Sequence, residues 1–467
     1  MENSANRLTR RRRHGAAAGL AAAALLLLTA CGGAGGAATS TSGAASGGAA
    51  SASGSAASGS AASASAPAQK VTITFVNAMA SGANAKALAA LIKDFEAKYP
   101  NITVNNIAET NYGTEDTKLQ AMLAAHQPPD IAQMYNTDGD NFKKVNAIVP
   151  VQQFINGPDG LSASDLADFY PQMLATGKWP DGTIWLMPFN KSTEVLYYNT
   201  DMFKAAGIDH PPATWDEMAA DAKALSKNGV IAWQDAFDMS TFEAFIKQLG
   251  GSTLNAGETQ PNFQDTGLQV LNFWVGLVKQ GYAKQDAVNF GYETDFGNQK
   301  SAFTMASIAS LPFMIQAAGS KFTVGVAPLP ANKAQAAQLY GTDLGIFKTN
   351  ATQEAAAWTF VKFATSTAEN EAWVKGTGYL PIRKSVTDDL TSQGYFNTPE
   401  GKDKMVAINF IPNTFPDDFA GWWDQAAWLN GSPVPAQIQA ALIGQETPQT
   451  AIQTAFKRAQ QIAAGGQ

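Results

Sequence analysis

Val71 to Val76 (VTITFV) alternates apolar and polar side chains, the period of a strand with one buried face. The period then changes: in ANAKALAALIKDFEAKY the positions Leu88, Leu91, Ile92, Phe95 and Tyr99 fall on one helical face, until Pro100 and Asn101 stop the helix. ITVNNI from Ile102 predicts a second strand. Thr114 to His126 predicts a second helix with Leu119, Met122 and Leu123 on one face, and IAQMY, after the QPPD turn, predicts a third strand. This alternation specifies a parallel sheet with helices on its faces. Ligands collect beyond the carboxyl ends of strands in such sheets. The positions that follow the three strands are Asn77 and Met79, residues 109–112, and residues 136–138.

The pattern restarts near Val195. VLYYN reads as a strand, DMFKAAG as a short helix closed by Gly207, and Thr214 as the cap of a helix over DEMAADAKALSK. FTVGVAPLP and LYGTDLGIFK read as strands crossing between the two regions. TQEAAAWTFVKFATS is an amphipathic helix, and Thr447 and Pro448 open the last one. No internal repeat of fixed period is present.

The first residues add a different signal. Arg7 and Arg10 to Arg13 precede an apolar run from Ala16 to Ala30, shorter than the roughly 20 residues of a spanning helix. This is an export signal. Leu28-Thr29-Ala30-Cys31 resembles the lipobox of bacterial lipoproteins, which makes Cys31, the only cysteine, a lipid attachment point. The arginine run also permits a twin-arginine route. Residues 32–70 are almost wholly Gly, Ala and Ser, a composition that buries nothing and makes a flexible tether. Without the signal, 32 − 5 = 27 basic residues face 39 − 1 = 38 acidic ones, a net charge of −11. An exported acidic domain is a poor partner for nucleic acid.

Histidine chemistry is nearly absent. His14 lies in the signal, and His126 and His210 stand beside Pro-rich turns far apart in sequence, so no histidine triad or zinc site is expected. NTDGDN from Asn136 has its glycine at the fourth position, not the sixth of a calcium loop, and reads as a turn after a strand. The Gly-rich GGAGG lacks the flanks of a phosphate loop. Neither a metal nor a cofactor is expected. A glycoside hydrolase needs two carboxylates, but no spacing singles out a pair. Aromatic side chains in polar surroundings are plentiful, as in GWWDQAAWLN, and sugars are held by aromatic platforms beside hydroxyls and amides. Trp274 and Trp358 lie instead on apolar helical faces and are expected in the core.

PFNKSTEVLYYNTDMFKAAGID, followed by PPATWDEM, resembles the signature of extracellular solute-binding proteins (family 1) that serve carbohydrate ABC importers. The resemblance is nearest to the branch of glycerol-3-phosphate binders and their sugar-binding relatives, and extends through FEAKYPNITV, NYGTEDTKLQAMLAAHQPPDIAQMY, FTMASIASLPFM and GTGYLPIRKS. It implies an α/β fold of two lobes with a hinge and a ligand cleft: 71–190 with 325–367, and 191–324 with 368–467. It implies binding without catalysis, by a monomer that delivers its ligand to permease subunits of an ABC transporter. Its site would comprise Tyr112, the position of Asn136 with Asp138 beyond it, Ser192, Trp233, Ser307, Ser310, the turn at Gly341, Thr342 and Asp343, and Tyr379. Trp422 and Trp423 join it from the aromatic segment. The phosphate-binding arginine of the glycerol-3-phosphate binders has no counterpart in WLNGSPVPAQIQ. A neutral di- or oligosaccharide is therefore expected, with glycerol-3-phosphate or a glycerophosphodiester as the alternative.

Overall fold

The computed structural model describes residues 70–286, 290–416, 420–428 and 431–465. Cys31 and nearly all of the tether lie outside these. Among the described residues eleven strands make one sheet: β1 (Val71–Asn77), β2 (Ile102–Ala108), β3 (Ile131–Met134), β4 (Ile148–Val149), β5 (Met187–Asn199), β6 (Trp233–Asp235), β7 (Ala283–Gln285), β8 (Phe303–Ser307), β9 (Val324–Ala327), β10 (Ala337–Phe347) and β11 (Thr414–Pro416). The central path runs β2-β1-β3-β10-β5-β8-β6-β7. β1 is parallel to β2 and β3, while β10 is antiparallel to β3 and β5.

The two longest strands connect two apolar cores. One core gathers Phe75, Phe95, Trp358 and Phe360 around β1, and the other gathers Phe245, Trp274, Phe303 and Trp423. The first half of β5 pairs with β10, from Met187 to Thr193; its second half pairs with β8 and β9. A register shift falls between Thr342 and Asp343. Gly341, beside it, has φ +101, a value open chiefly to glycine. Behind this crossing, Lys191 Nζ lies 2.8 Å from Asp343 Oδ1, with both side chains 1% exposed.

Most elements match the sequence reading, caps included. Thr214 accepts from Glu217 N, and Thr447 from Thr450 N. Three details differ. The strand that opens the restarting pattern begins at Met187, not Val195, because FNKST carries polar side chains at the crossing and so hides its strand character. FTVGVAPLP supplies only β9, which lies along the second half of β5 and does not cross. NTDGDN opens a helix, Asn136–Lys144, whose first turn is fixed by Tyr135 N donating to Asp138 Oδ2 at 3.1 Å. The first core also takes in Trp373, Tyr379 and Ile382, beyond residue 367.

Candidate functional site

Alternation along β5 places Asn190, Ser192 and Glu194 on one face. Thr342 and Tyr340 of β10 stand opposite Asn190 and Ser192 and share that face. This polar row crosses from one core to the other. Each member is tied to neighbours by its own chemistry.

At one end, Asn190 Nδ2 donates to the Tyr112 hydroxyl at 3.0 Å, and Asn190 Oδ1 accepts from Thr342 Oγ1 at 2.5 Å and from Gln133 Nε2 at 3.4 Å. Tyr112 and Tyr379 share a hydroxyl contact of 3.3 Å. Tyr112 comes from the helix Tyr112–Ala124, which starts earlier than the hydrophobic pattern indicates because Asn111 caps it through Thr114 N. Its ring meets Tyr135 edge-on at 5.2 Å. In the middle, the Ser192 and Ser307 hydroxyls lie 2.5 Å apart, and Ala309 N donates to Ser307 Oγ at 3.1 Å. At the far end, Glu194 Oε1 accepts from Thr241 Oγ1 at 2.7 Å and Ser240 Oγ at 3.3 Å, while Oε2 has no partner.

The row is electrostatically one-sided. Burial, and then the charges of Asp138, Asp116 and Glu109, raise the Glu115 carboxyl well above its usual range. Asp138 is pushed up to about 7 by burial and next by Asp424, although Tyr135 N–H opposes this. Burial and Asp238 raise Glu194, with the Thr241 and Ser240 hydroxyls opposing. Burial lifts the Tyr340 hydroxyl, helped by Glu194 and Asp238. Neither arginine among the described residues answers these charges: Arg383 is buried against Asp168 and Thr365 O, and Arg458 contacts Gln461. Lys191 lies on the opposite face of β5.

The expected residues thus divide. Tyr112, Asp138, Ser192, Ser307, Thr342 and Tyr379 gather along the row. Asn136 is buried at the helix start, where its Oδ1 accepts from Thr137 N. Ser310 is buried and bonds the Glu293 carboxyl. Gly341 contributes backbone only, its carbonyl accepting from Lys191 Nζ at 3.0 Å. Asp343 falls on the Lys191 face, because adjacent residues of β10 alternate between the two faces of the sheet. Trp233 lies off the row: it is fully buried among Phe237, Phe245 and Trp274, and Asp235 Oδ2 accepts from its indole N–H inside the core. Trp423 is also buried and donates to Glu243 Oε1. Trp422 is partly buried and donates to Glu258 O. Sequence reasoning missed Glu115, Gln133, Tyr135, Asn190, Glu194 and Tyr340. The alternation N-K-S-T-E was the available signal for two of them.

The sequence profile described as bacterial extracellular solute-binding protein matches residues 90–404. The chain belongs to this family. It is 29% identical over 430 residues to the sn-glycerol-3-phosphate-binding periplasmic protein UgpB of Escherichia coli, covering 85% of this chain and 93% of that one. In structure it is similar to the ABC substrate-binding protein Lmo0181 of Listeria monocytogenes in complex with cycloalternan, at TM-score 0.74 and 21% identity over 85% of this chain and 100% of that one. It is also similar to UgpB of Mycobacterium tuberculosis in complex with glycerophosphocholine, at TM-score 0.73 and 23% identity over 84% and 98%. The fold is therefore the two-lobe α/β fold of periplasmic binding proteins, and the β5–β10 row occupies its crossing. Among the described residues no helix is long and apolar enough to cross a membrane.

A cavity of 510 Å³ lies elsewhere. It runs between the helices Gly82–Lys98 and Thr367–Gly376 and is lined largely by Ala83, Ala87, Ala90 and Leu91. Lys86, Asp94, Gln316, Glu369 and Trp373 also line it, and the lining includes no hydroxyl side chain and none of the β5–β10 row.

Proposed function

We propose that this protein captures a carbohydrate, a di- or oligosaccharide without phosphate, at the β5–β10 row and hands it to the permease of an ABC importer. The carrying observation is the continuous row of amide, hydroxyl and carboxylate groups from Asn190 to Glu194, flanked by tyrosines and free of basic side chains. A phosphate dianion there would meet carboxylates and no cation to offset its desolvation. The lobes are 71–190 with 325–367, and 191–324 with 368–467, although packing draws Trp373, Tyr379 and Ile382 toward the first. The cavity beside Tyr112 measures 10 Å³, about one water, so a sugar enters only when its walls part. Ligand stabilises the closed form by its extra contacts there.

The chain works as a monomer, does not cleave its ligand, and is held at the outer face of the membrane by lipid on Cys31. Cys31→Ser moves it to the soluble fraction; a variant that remains acylated and membrane-bound refutes the anchor. Relatives named for glycerol-3-phosphate favour a second reading, a phosphate ester in the same cleft. A thermal-shift screen separates the two: ligand at a hundred times Kd stabilises by about 2.7 kcal/mol. Stabilisation by intact sugars supports the first reading, and stabilisation only by glycerol phosphates supports the second.

A further inference from the structure

The 10 Å³ cavity is lined by Tyr112, Glu115, Gln133, Tyr135, Asp138 and Thr342, among others. Glu115 is 2% exposed, and its Oε1 has no hydrogen-bond partner. A buried carboxylate oxygen left unmatched costs more than a neutral acceptor would. The charges acting on Glu115 come from Asp138, Asp116 and Glu109, those acting on Asp138 from Asp424 and Asp116, and all are negative. Farther along the row Glu194, also 2% exposed, leaves Oε2 unmatched. Among the described residues no three His, Cys, Asp or Glu side chains converge as metal ligands would.

Resting on the carbohydrate reading, we propose that the ligand carries a primary ammonium group, seated in the cavity against Glu115 and Asp138. The size fits, because an ammonium group occupies about the space of one water. The chemistry fits as well: an alcohol offers a single proton and no charge, whereas an ammonium offers three N–H donors and neutralises the carboxylate it meets. A quaternary ammonium has no N–H and is too large. The ligand class is thus an amino sugar or amino-deoxy oligosaccharide.

The test is calorimetric titration of the full chain at pH 7 with matched probes. These are D-glucosamine and the chitosan disaccharide, each against its N-acetylated and its hydroxyl counterpart, and 6-amino-6-deoxy-D-glucose against glucose. A charge-assisted bond in place of a neutral one predicts roughly 10- to 100-fold tighter binding of at least one amine than of its matched partners. Glu115→Gln and, separately, Asp138→Asn should each shrink that preference at least fivefold, with melting temperatures confirming that the variants fold. Hydroxyl or N-acetyl forms binding as tightly as the amines overturn the ammonium site and leave the carbohydrate reading standing. An amine preference that survives in folded Glu115→Gln and Asp138→Asn overturns the placement. If none of these probes binds, the ammonium proposal fails; if the wider sugar screen is also blank, the carbohydrate reading fails with it.

Discussion

Replacing Lys191 by methionine probes the crossing on which the cleft is built. Lys191 Nζ reaches Asp343 Oδ1 at 2.8 Å and the Gly341 carbonyl at 3.0 Å, with both charged side chains 1% exposed. Asp343 Oδ1 also accepts from Thr176 Oγ1 at 2.9 Å, and Oδ2 has no partner. Burial already raises the Asp343 carboxyl, against the opposing Lys191 charge. Without the ammonium, a buried carboxylate keeps one hydroxyl donor. Breaking such a pair from one side costs about 3–5 kcal/mol, whereas removing both partners together is often near neutral. Lys191→Met should therefore destabilise by about 3–5 kcal/mol in urea titration at pH 8. The cost should be smaller at pH 5, where Asp343 can take up a proton. Lys191→Met/Asp343→Leu should recover at least about 2 kcal/mol of that loss, the coupling expected of groups in contact. A single variant costing under about 1 kcal/mol, or a double variant as damaged as the sum of its parts, refutes the buried pair.

Two further outcomes follow from the same geometry. Asp138 and Asp235 both titrate near 7 in the folded chain, against about 3.9 unfolded. Folding therefore takes up protons, and this stability is complete below about pH 4 and lost as the pH rises through 7. The unliganded protein should melt at a higher temperature at pH 5.5 than at pH 8, and the reverse order contradicts the burial of these acids. Gly341→Ala sets a Cβ against the Asn190 carbonyl oxygen at φ +101. It should cost upward of about 2 kcal/mol and weaken sugar binding together with stability; a folded variant with native melting and affinity shows that the crossing does not need glycine.

The fold was legible where burial imposes a period. VTITFV, ANAKALAALIKDFEAKY and the caps at Thr214 and Thr447 have one apolar face or one polar end, and they form where that pattern puts them. The crossing was less legible. Asn190, Lys191, Ser192 and Thr193 are all buried yet polar, since their partners come from β10, from Tyr112 and from Ser307, so no apolar rhythm marks the strand. The same holds around Trp233: its polar neighbours Gln234 and Asp235 are buried too, and Asp235 accepts from the indole N–H within the core. Glu115 gave no warning either. Its place beside Asp138 depends on helix Tyr112–Ala124 packing through Leu119 against Val76, Ala132 and Met134, a contact between separate elements.

The most direct test is a crystal structure of the protein with the sugar that stabilises it most. The account predicts an intact ligand beside Asn190, Ser192, Tyr340 and Tyr379, an end reaching Glu115 and Asp138, and a cleft enlarged well beyond 10 Å³ to hold it. A sugar seated in the 510 Å³ groove between helices Gly82–Lys98 and Thr367–Gly376, or a cleaved one in the cleft, contradicts it.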